Sequence, residues 1–223
     1  MAEIALVELK EGHGRLAQQA FAIYEASFPV EERDSVENLV ELIQRSASGE
    51  LDEGTDFRFL VGVADEQIVA LSIYTYHARL RMGYLWYLAI TAVSRGQGLG
   101  SWMFSQTMNR LAREGGQRPL GMCWEVERPS DLPDPDHRDL AERRIRFYER
   151  NGSVLFANVD LLTPALGEGL PEVSYHLMYY PLVDEPTIPT DRVQAIIDVI
   201  LLDNYEVDPD SEYYRRAAQS IGK

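Results

Sequence analysis

The stretch Tyr84–Thr91, YLWYLAIT, followed by Arg95-Gly96-Gln97-Gly98-Leu99-Gly100 and then by the helical run Ser101–Glu114, decides how this chain is read. An apolar strand that turns through three glycines into a helix leaves several backbone N–H groups aimed at one point. That point is also the positive end of the helix dipole, so the segment suits a phosphate or a diphosphate. Arg95 stands at its rim and no acidic residue interrupts it. The dinucleotide fingerprint does not fit, because Arg95 and Gln97 occupy its first and third glycine positions. A Walker loop does not fit either, since no Gly-Lys-Ser/Thr follows.

Outward from this turn, apolar periodicity predicts the remaining elements. Ile4–Leu9 reads as a strand. Leu16, Ala20 and Ile23, with Ala17, Phe21, Tyr24 and Phe28, fit helical spacing, and Pro29 ends that helix. Asp34 and Glu37 resemble a capping box before a second helix with Val36, Leu39, Val40 and Ile43 on one side. Strands are expected at 57–64 and 68–77, with a tight turn at Asp65-Glu66-Gln67 between them. Arg81-Met82-Gly83 is expected to turn the chain into the strand at 84–91. A strand at 120–127 follows the central helix. Arg128–Arg138, with three prolines and three aspartates, reads as a long functional loop. A helix from Leu140 stops at Asn151-Gly152, and strands are expected at 154–162 and 173–180.

This mixture of hairpins and strand–helix–strand crossovers predicts an α/β (α+β) protein with a mixed sheet. After Pro181 the pattern changes. Val193, Ile196, Ile197, Ile200 and Leu201 form a strongly apolar helical face capped by Thr190, and Asp208-Pro209-Asp210 starts another short helix. The expected organisation is a domain over residues 1–182 and a C-terminal helical extension over 183–223. That extension either packs back on the domain or makes a homodimer contact.

Composition narrows the function classes. The net charge of −15 argues against nucleic acid, which is bound through Lys and Arg. The only cysteine, Cys123, rules out an internal disulfide and a cysteine zinc cluster. His13, His77, His137 and His176 are scattered, so no metal is expected. No run of about eighteen apolar residues suggests a membrane span, and no secretory signal is visible, so a cytoplasmic location is expected.

The spacing Arg-x-x-Gly-x-Gly after Leu88-Ala89-Ile90 resembles the coenzyme A diphosphate loop of the GNAT (GCN5-related N-acetyltransferase) superfamily. Further along, Arg146-Phe147-Tyr148-Glu149-Arg150-Asn151-Gly152 is similar to that family's Phe/Leu-Tyr-Glu-x-x-Gly motif, and the element order from Ile4 to Tyr180 matches its fold. The resemblance implies a GNAT fold, a mostly antiparallel sheet of about seven strands flanked by helices. It also implies acetyl-CoA as co-substrate and an N-acetyltransferase acting on a primary amine of a small molecule or peptide. The pantetheine arm would bond the backbone of Leu88, Ala89 and Ile90. The amides of Arg95, Gly96, Gln97, Gly98, Leu99, Gly100 and Ser101 would hold the diphosphate. Tyr148 would protonate the departing thiolate, although the stripe Ala141, Ile145, Tyr148 also fits simple packing.

Glu125 and Glu127 alternate with Trp124 and Val126, so they share one strand face with Cys123. Either carboxylate could serve as general base, or both could be solvated edge charges. Glu31 and Glu32 lie where the family lines the acceptor side and could hold a cationic substrate. Cys123 reads as a packed thiol. Ala141 stands where many members carry a pantetheine-binding Asn, and Arg144 could instead meet the cofactor's phosphates. A second reading is a non-catalytic acyl-CoA-binding module whose apolar tail contacts a partner.

Overall fold

The computed structural model describes residues 3–114, 118–165, 169, 171–185 and 187–221. It contains a seven-stranded sheet of order β1-β2-β3-β4-β5-β7-β6. The chain divides into two compact units, one of residues 1–79 with 85–118, the other of 80–84 with 119–223.

The first unit holds β1 (Ala5–Glu8), α1 (Arg15–Ser27), α2 (Val36–Ser48), β2 (Thr55–Ala64), β3 (Gln67–His77), the larger part of β4 (Met82–Ile90) and α3 (Leu99–Leu111). β1–β2 and β2–β3 pair antiparallel. The β2–β3 turn bends through Asp65 and Glu66, both with positive φ, as a two-residue hairpin requires. Period-two alternation sorts β2 into two faces. Phe57, Phe59 and Val61 form a core with Phe21 and Tyr24 of α1 and Leu39 and Ile43 of α2. Phe21 meets Phe59 edge to face at 5.8 Å. On the opposite face Trp102 of α3 lies so close to β2 that a Cβ on Gly62 would sit 2.7 Å from its ring.

That second face also carries charge. Glu114, 5% exposed, accepts from Arg58 Nε at 3.0 Å and Nη2 at 2.9 Å, Arg110 Nη1 at 2.7 Å and Tyr74 Oη at 3.0 Å. A buried carboxylate survives only with such a set of donors. These contacts fasten the residues just after α3 to β2 and β3.

The second unit holds the start of β4, then β5 (Gly121–Glu127), α4 (Pro135–Arg150), β6 (Val154–Thr163) and β7 (Val173–Pro181). β7 pairs antiparallel with both β5 and β6. β4 pairs with β5 in parallel over three residues, Met82↔Gly121 to Tyr84↔Cys123. Gly121 is required because a Cβ there would lie 2.3 Å from the Tyr179 ring, whose hydroxyl donates to Leu120 O at 2.8 Å. The tail follows as α5 (Thr190–Ile197), a π-helical stretch Asp198–Asn204 and α6 (Glu212–Ser220). It packs back within this unit. Arg216 pairs with Asp160 of β6 at 2.6 Å, and Val193, Ile196, Ile197, Val199, Ile200 and Leu201 are all buried. Among the described residues no helix is long and apolar enough to cross a membrane.

Four local expectations are corrected. The cap of α2 is Ser35, whose Oγ accepts from Asn38 N, while Asp34 caps nothing and binds Ser35 N and the Asn38 amide. The segment 128–138 is not one long loop. Pro135 occupies the first turn of α4, where its missing N–H costs nothing, and Asp134 supplies the cap. Thr190 is the first residue of α5 rather than its cap. Helix α6 starts at Glu212 with Ser211 as cap, after the Asp208-Pro209-Asp210 turn.

Replacing Glu114 by Ala would remove the most buried carboxylate that Arg58 and Arg110 share and leave them only the more exposed Glu8 and Asp56. The substitution is expected to cost about 3 kcal/mol of stability, read as a lower denaturant midpoint at an unchanged slope.

Candidate functional site

The glycine turn behaves as its sequence requires. Gly96 and Gly98 have φ of 76° and 79°, the left-handed region that L side chains avoid. A Cβ on either would meet nothing within 4 Å, so the backbone and not crowding selects glycine there. The first intrahelical bond of α3 runs from Trp102 N to Gly98 O at 3.0 Å. The N–H groups of Leu99, Gly100 and Ser101 therefore precede the ladder and have no carbonyl one turn back. No side chain caps this terminus and no acidic residue lies in its first turn. Gln97 donates its amide to Val93 O at 3.2 Å, which braces the turn, and Arg95 to Gly98 are exposed. The arrangement can take an anion on backbone donors.

β4 leads into this turn, and its alternation breaks. Trp86 meets Phe57 edge to face at 5.9 Å and donates Nε1–H to Thr75 Oγ1 at 3.2 Å. Tyr87 meets Tyr24 at 4.8 Å and Phe28 at 4.8 Å. Phe57 and Tyr24 belong to one core, so two successive β4 side chains face the same side. A regular strand cannot do this. Next along β4, Ala89 is buried while Leu88 and Ile90 are half-buried.

Tyr87 also fixes the connection between α1 and α2. Asp34 N–H donates to its hydroxyl at 3.0 Å, and Tyr24 Oη donates to Asp34 O at 3.1 Å. Glu32 lies in a short 3₁₀ turn within this connection. The Glu31 side chain lies outside the described residues.

The second unit carries the carboxylates. Glu127 is committed to a salt bridge, accepting from Arg144 Nη1 at 2.9 Å. Arg144 is thereby directed to a carboxylate of its own unit. Glu125 differs. Its Oε1 accepts from Tyr84 Oη at 3.0 Å, and the Tyr205 phenol lies near it. Burial pushes the Glu125 carboxyl up to about 7, against the opposing effect of these phenols. Tyr84 and Cys123 are themselves pushed up by burial beside it, and Cys123 donates to Gly83 O at 3.3 Å as a packed thiol. Tyr148, in α4, stacks on Trp124 with ring centroids 4.7 Å apart. Trp124 and Glu125 alternate on β5, so Tyr148 and Glu125 belong to opposite faces of that strand. Burial pushes the Tyr148 phenol up to about 12, which keeps it protonated at neutral pH.

Sequence reading missed Tyr84, Tyr87 and Tyr205. Tyr84 reaches Glu125 through the parallel register with Cys123, which no local pattern announces. Tyr205 comes from the tail, far along the chain.

No family model matches the chain, and no curated protein does. Solved structures do. A GNAT-family protein from Bacteroides thetaiotaomicron is 22% identical, with 86% of this chain and 92% of that one covered at a TM-score of 0.61. Another from Desulfovibrio desulfuricans is 15% identical, with 81% and 100% covered at 0.55. The PaiA N-acetyltransferase of Thermoplasma acidophilum, solved in complex with coenzyme A, is 18% identical, with 80% and 99% covered at 0.50. The fold is that of the GNAT acetyltransferases. At these identities the shared property is the fold. Within it the strand carrying Leu88-Ala89-Ile90, the glycine turn and the Tyr148 helix fall in the chain order expected from the sequence.

The Glu125 carboxyl is expected to titrate with a midpoint near 7, well above an ordinary glutamate. Carboxyl-labelled carbon NMR would read this directly, with Glu125→Gln assigning the signal.

Proposed function

We propose that the protein is an acetyl-CoA-dependent N-acetyltransferase acting on a primary amine. The observation that supports this most is the left-handed glycine turn, which presents uncapped helix N–H groups directly after an irregular strand. These residues fit the anionic part of coenzyme A, because no side chain caps the helix, an added Cβ on Gly96 or Gly98 would meet nothing within 4 Å and no acidic residue lies in the first turn of α3. The amides from Arg95 to Ser101 hold the diphosphate, with the Arg95 side chain at the rim. The backbone of Leu88, Ala89 and Ile90 bonds the amides of the pantetheine arm, as strand addition does elsewhere. When bound, acetyl-CoA supplies an activated acyl thioester.

The chain's own groups supply positioning and proton transfer. A backbone N–H of β4 near Leu88 or Ala89 donates to the carbonyl oxygen as negative charge develops there. Glu125 accepts a proton from the incoming ammonium or amine, because a carboxyl titrating near 7 is half ionised at neutral pH. Glu127 is the weaker candidate, since its carboxylate is already engaged in a salt bridge with Arg144. The Tyr148 phenol donates its proton to the departing sulfur. Donation from the Trp124 side and abstraction on the Glu125 side keep the acid and the base from neutralising each other. Glu32 and the acidic balance of the chain favour a cationic acceptor, which Glu31 would reinforce.

The alternative, a non-catalytic acyl-CoA-binding module, drew on an apolar tail seeking a partner. That tail is buried within its own chain.

Gly98→Asp keeps a tolerated left-handed residue but places a negative charge against the diphosphate. Acetyl-CoA affinity is expected to fall at least about tenfold by calorimetry with the melting temperature little changed. Unchanged affinity would remove the assignment. For the chemistry, thiol release from acetyl-CoA over a panel of primary amines is expected to decline about tenfold per pH unit below 7. Glu125→Gln should flatten that limb at a lower rate. Tyr148→Phe should lower kcat about a hundredfold while leaving acetyl-CoA binding intact. Tight binding with no turnover on any amine would favour the non-catalytic reading.

A further inference from the structure

Glu125 is the acid that interrupts the apolar interior of β5, and Tyr84 is the first aromatic residue of β4. The two strands share three parallel pairs, of which Tyr84↔Cys123 is the last. Period-two alternation puts Glu125 on the Cys123 side of β5, about 7 Å further along the strand. The backbone ladder has ended there. The link continues through a side chain, because Tyr84 Oη donates to Glu125 Oε1 at 3.0 Å. Tyr84 is 9% exposed and Cys123 is fully buried, so the ring is held in packed chain. The Cys123 thiol turns elsewhere and donates to Gly83 O at 3.3 Å. Glu127, the other carboxylate of this face, takes the Arg144 guanidinium at 2.9 Å. Two acids on one strand face thus have unlike partners, a neutral phenol and a cation.

We propose that Tyr84 is a positioning residue for the transfer, holding Glu125 Oε1 so that Oε2 takes the proton of the acceptor amine. This rests on the reading of Glu125 as general base. In that step the ammonium N–H bond breaks and an O–H bond forms at Oε2. The nitrogen keeps the electron pair that attacks the thioester carbonyl. A glutamate has several side-chain torsions to fix, and a bond from a packed ring fixes them before the substrate arrives. A phenol suits this task better than a guanidinium, since a charge-assisted bond would hold the carboxylate about twice as strongly. Packing does not explain the hydroxyl. A phenylalanine would fill the same space without aiming a polar group at a half-buried carboxyl. The titratable groups around Glu125 are Tyr84 from β4, Cys123 from β5 and Tyr205 from the tail, and no cation is among them.

The test uses the full chain, Tyr84→Phe, Glu125→Gln and the double variant. Carboxyl carbon NMR follows Glu125 without acetyl-CoA, and thiol release from acetyl-CoA with primary amines gives the pH–rate profile. Losing a donor to the anion raises a carboxyl's midpoint, so Tyr84→Phe is expected to move Glu125 up by about one pH unit, and the acid limb with it. The plateau of kcat should fall about tenfold, with KM for acetyl-CoA changed less than about twofold. In the Glu125→Gln background, Tyr84→Phe should cost less than about twofold more, because its partner is already gone. Fluorotyrosine at position 84, a stronger donor of nearly the same shape, should move the midpoint down, a sign that damaged packing would not give. An unmoved midpoint in Tyr84→Phe, or an equal loss of kcat with and without Glu125, overturns the proposal and leaves the reading of Glu125 intact. A Glu125→Gln enzyme with the parent's rate and acid limb removes Glu125 as the base, and the role of Tyr84 falls with it.

Discussion

β4 is hydrogen-bonded to β3 on one flank and to β5 over three residue pairs on the other, and the candidate site follows from that constraint. It neighbours β3 in the sheet, and Thr91 N–H still reaches Val69 O at 3.0 Å where the strand ends. Its ladder with β5 consists of three residue pairs and stops at Tyr84. Within the first unit, residues 85–90 therefore form an edge strand. Exposed edge strands invite strand addition, and proteins usually blunt them with charge, proline or a twist. Here the edge carries no charge and no proline, only Leu85 to Ile90. The irregularity at Trp86 and Tyr87 is the remaining device, and it disrupts the strand's regular repeat without closing the edge. An edge kept open at this point, ending in a turn with open amides, suits an extended ligand with a phosphate at one end.

The aromatic cluster around Tyr87 explains how such an edge stays rigid. Tyr24, Phe28 and Tyr87 touch one another at ring distances of 4.8 to 5.6 Å. The Tyr87 and Tyr24 hydroxyls both reach Asp34, so the connection between α1 and α2 is tied to β4 by polar tips on apolar rings. Burial raises the Tyr24 phenol above its ordinary range, so it remains a donor at any physiological pH. The segment beside Glu32 is thereby anchored to β4 through the hydroxyls of two tyrosines.

Most of the sheet was legible because its strands are long and their flanking turns carry glycine, proline or aspartate. The hairpin at Asp65-Glu66, the helix stop at Gly152 and the glycine turn all sit where local chemistry dictated. What failed to show was long-range. Residues 128–138 looked like a loop because three prolines suggest one, yet Pro135 in a first helical turn is favourable. Glu125 and Glu127 were indistinguishable by alternation. They diverge because Arg144, one turn before Tyr148 on α4, reaches Glu127 and not Glu125. No local pattern carries that information, since it depends on how α4 lies along β5.

Tyr205 shows the same limit in sharper form. Each residue of an α-helix advances about 100° around the axis. One extra residue in a turn shifts the phase of everything after it by about that angle, so the π-helical stretch Asp198–Asn204 directs Tyr205 differently from a continuous α-helix. A helical wheel drawn on the sequence would misplace it. The widened turn persists because its apolar residues are buried, with Val199, Ile200 and Leu201 showing no exposure, and because the Asn204 amide satisfies Val199 O. Packing thus offsets the cost of an irregular backbone, and the phase of the chain beyond it is set by that packing rather than by a helical repeat.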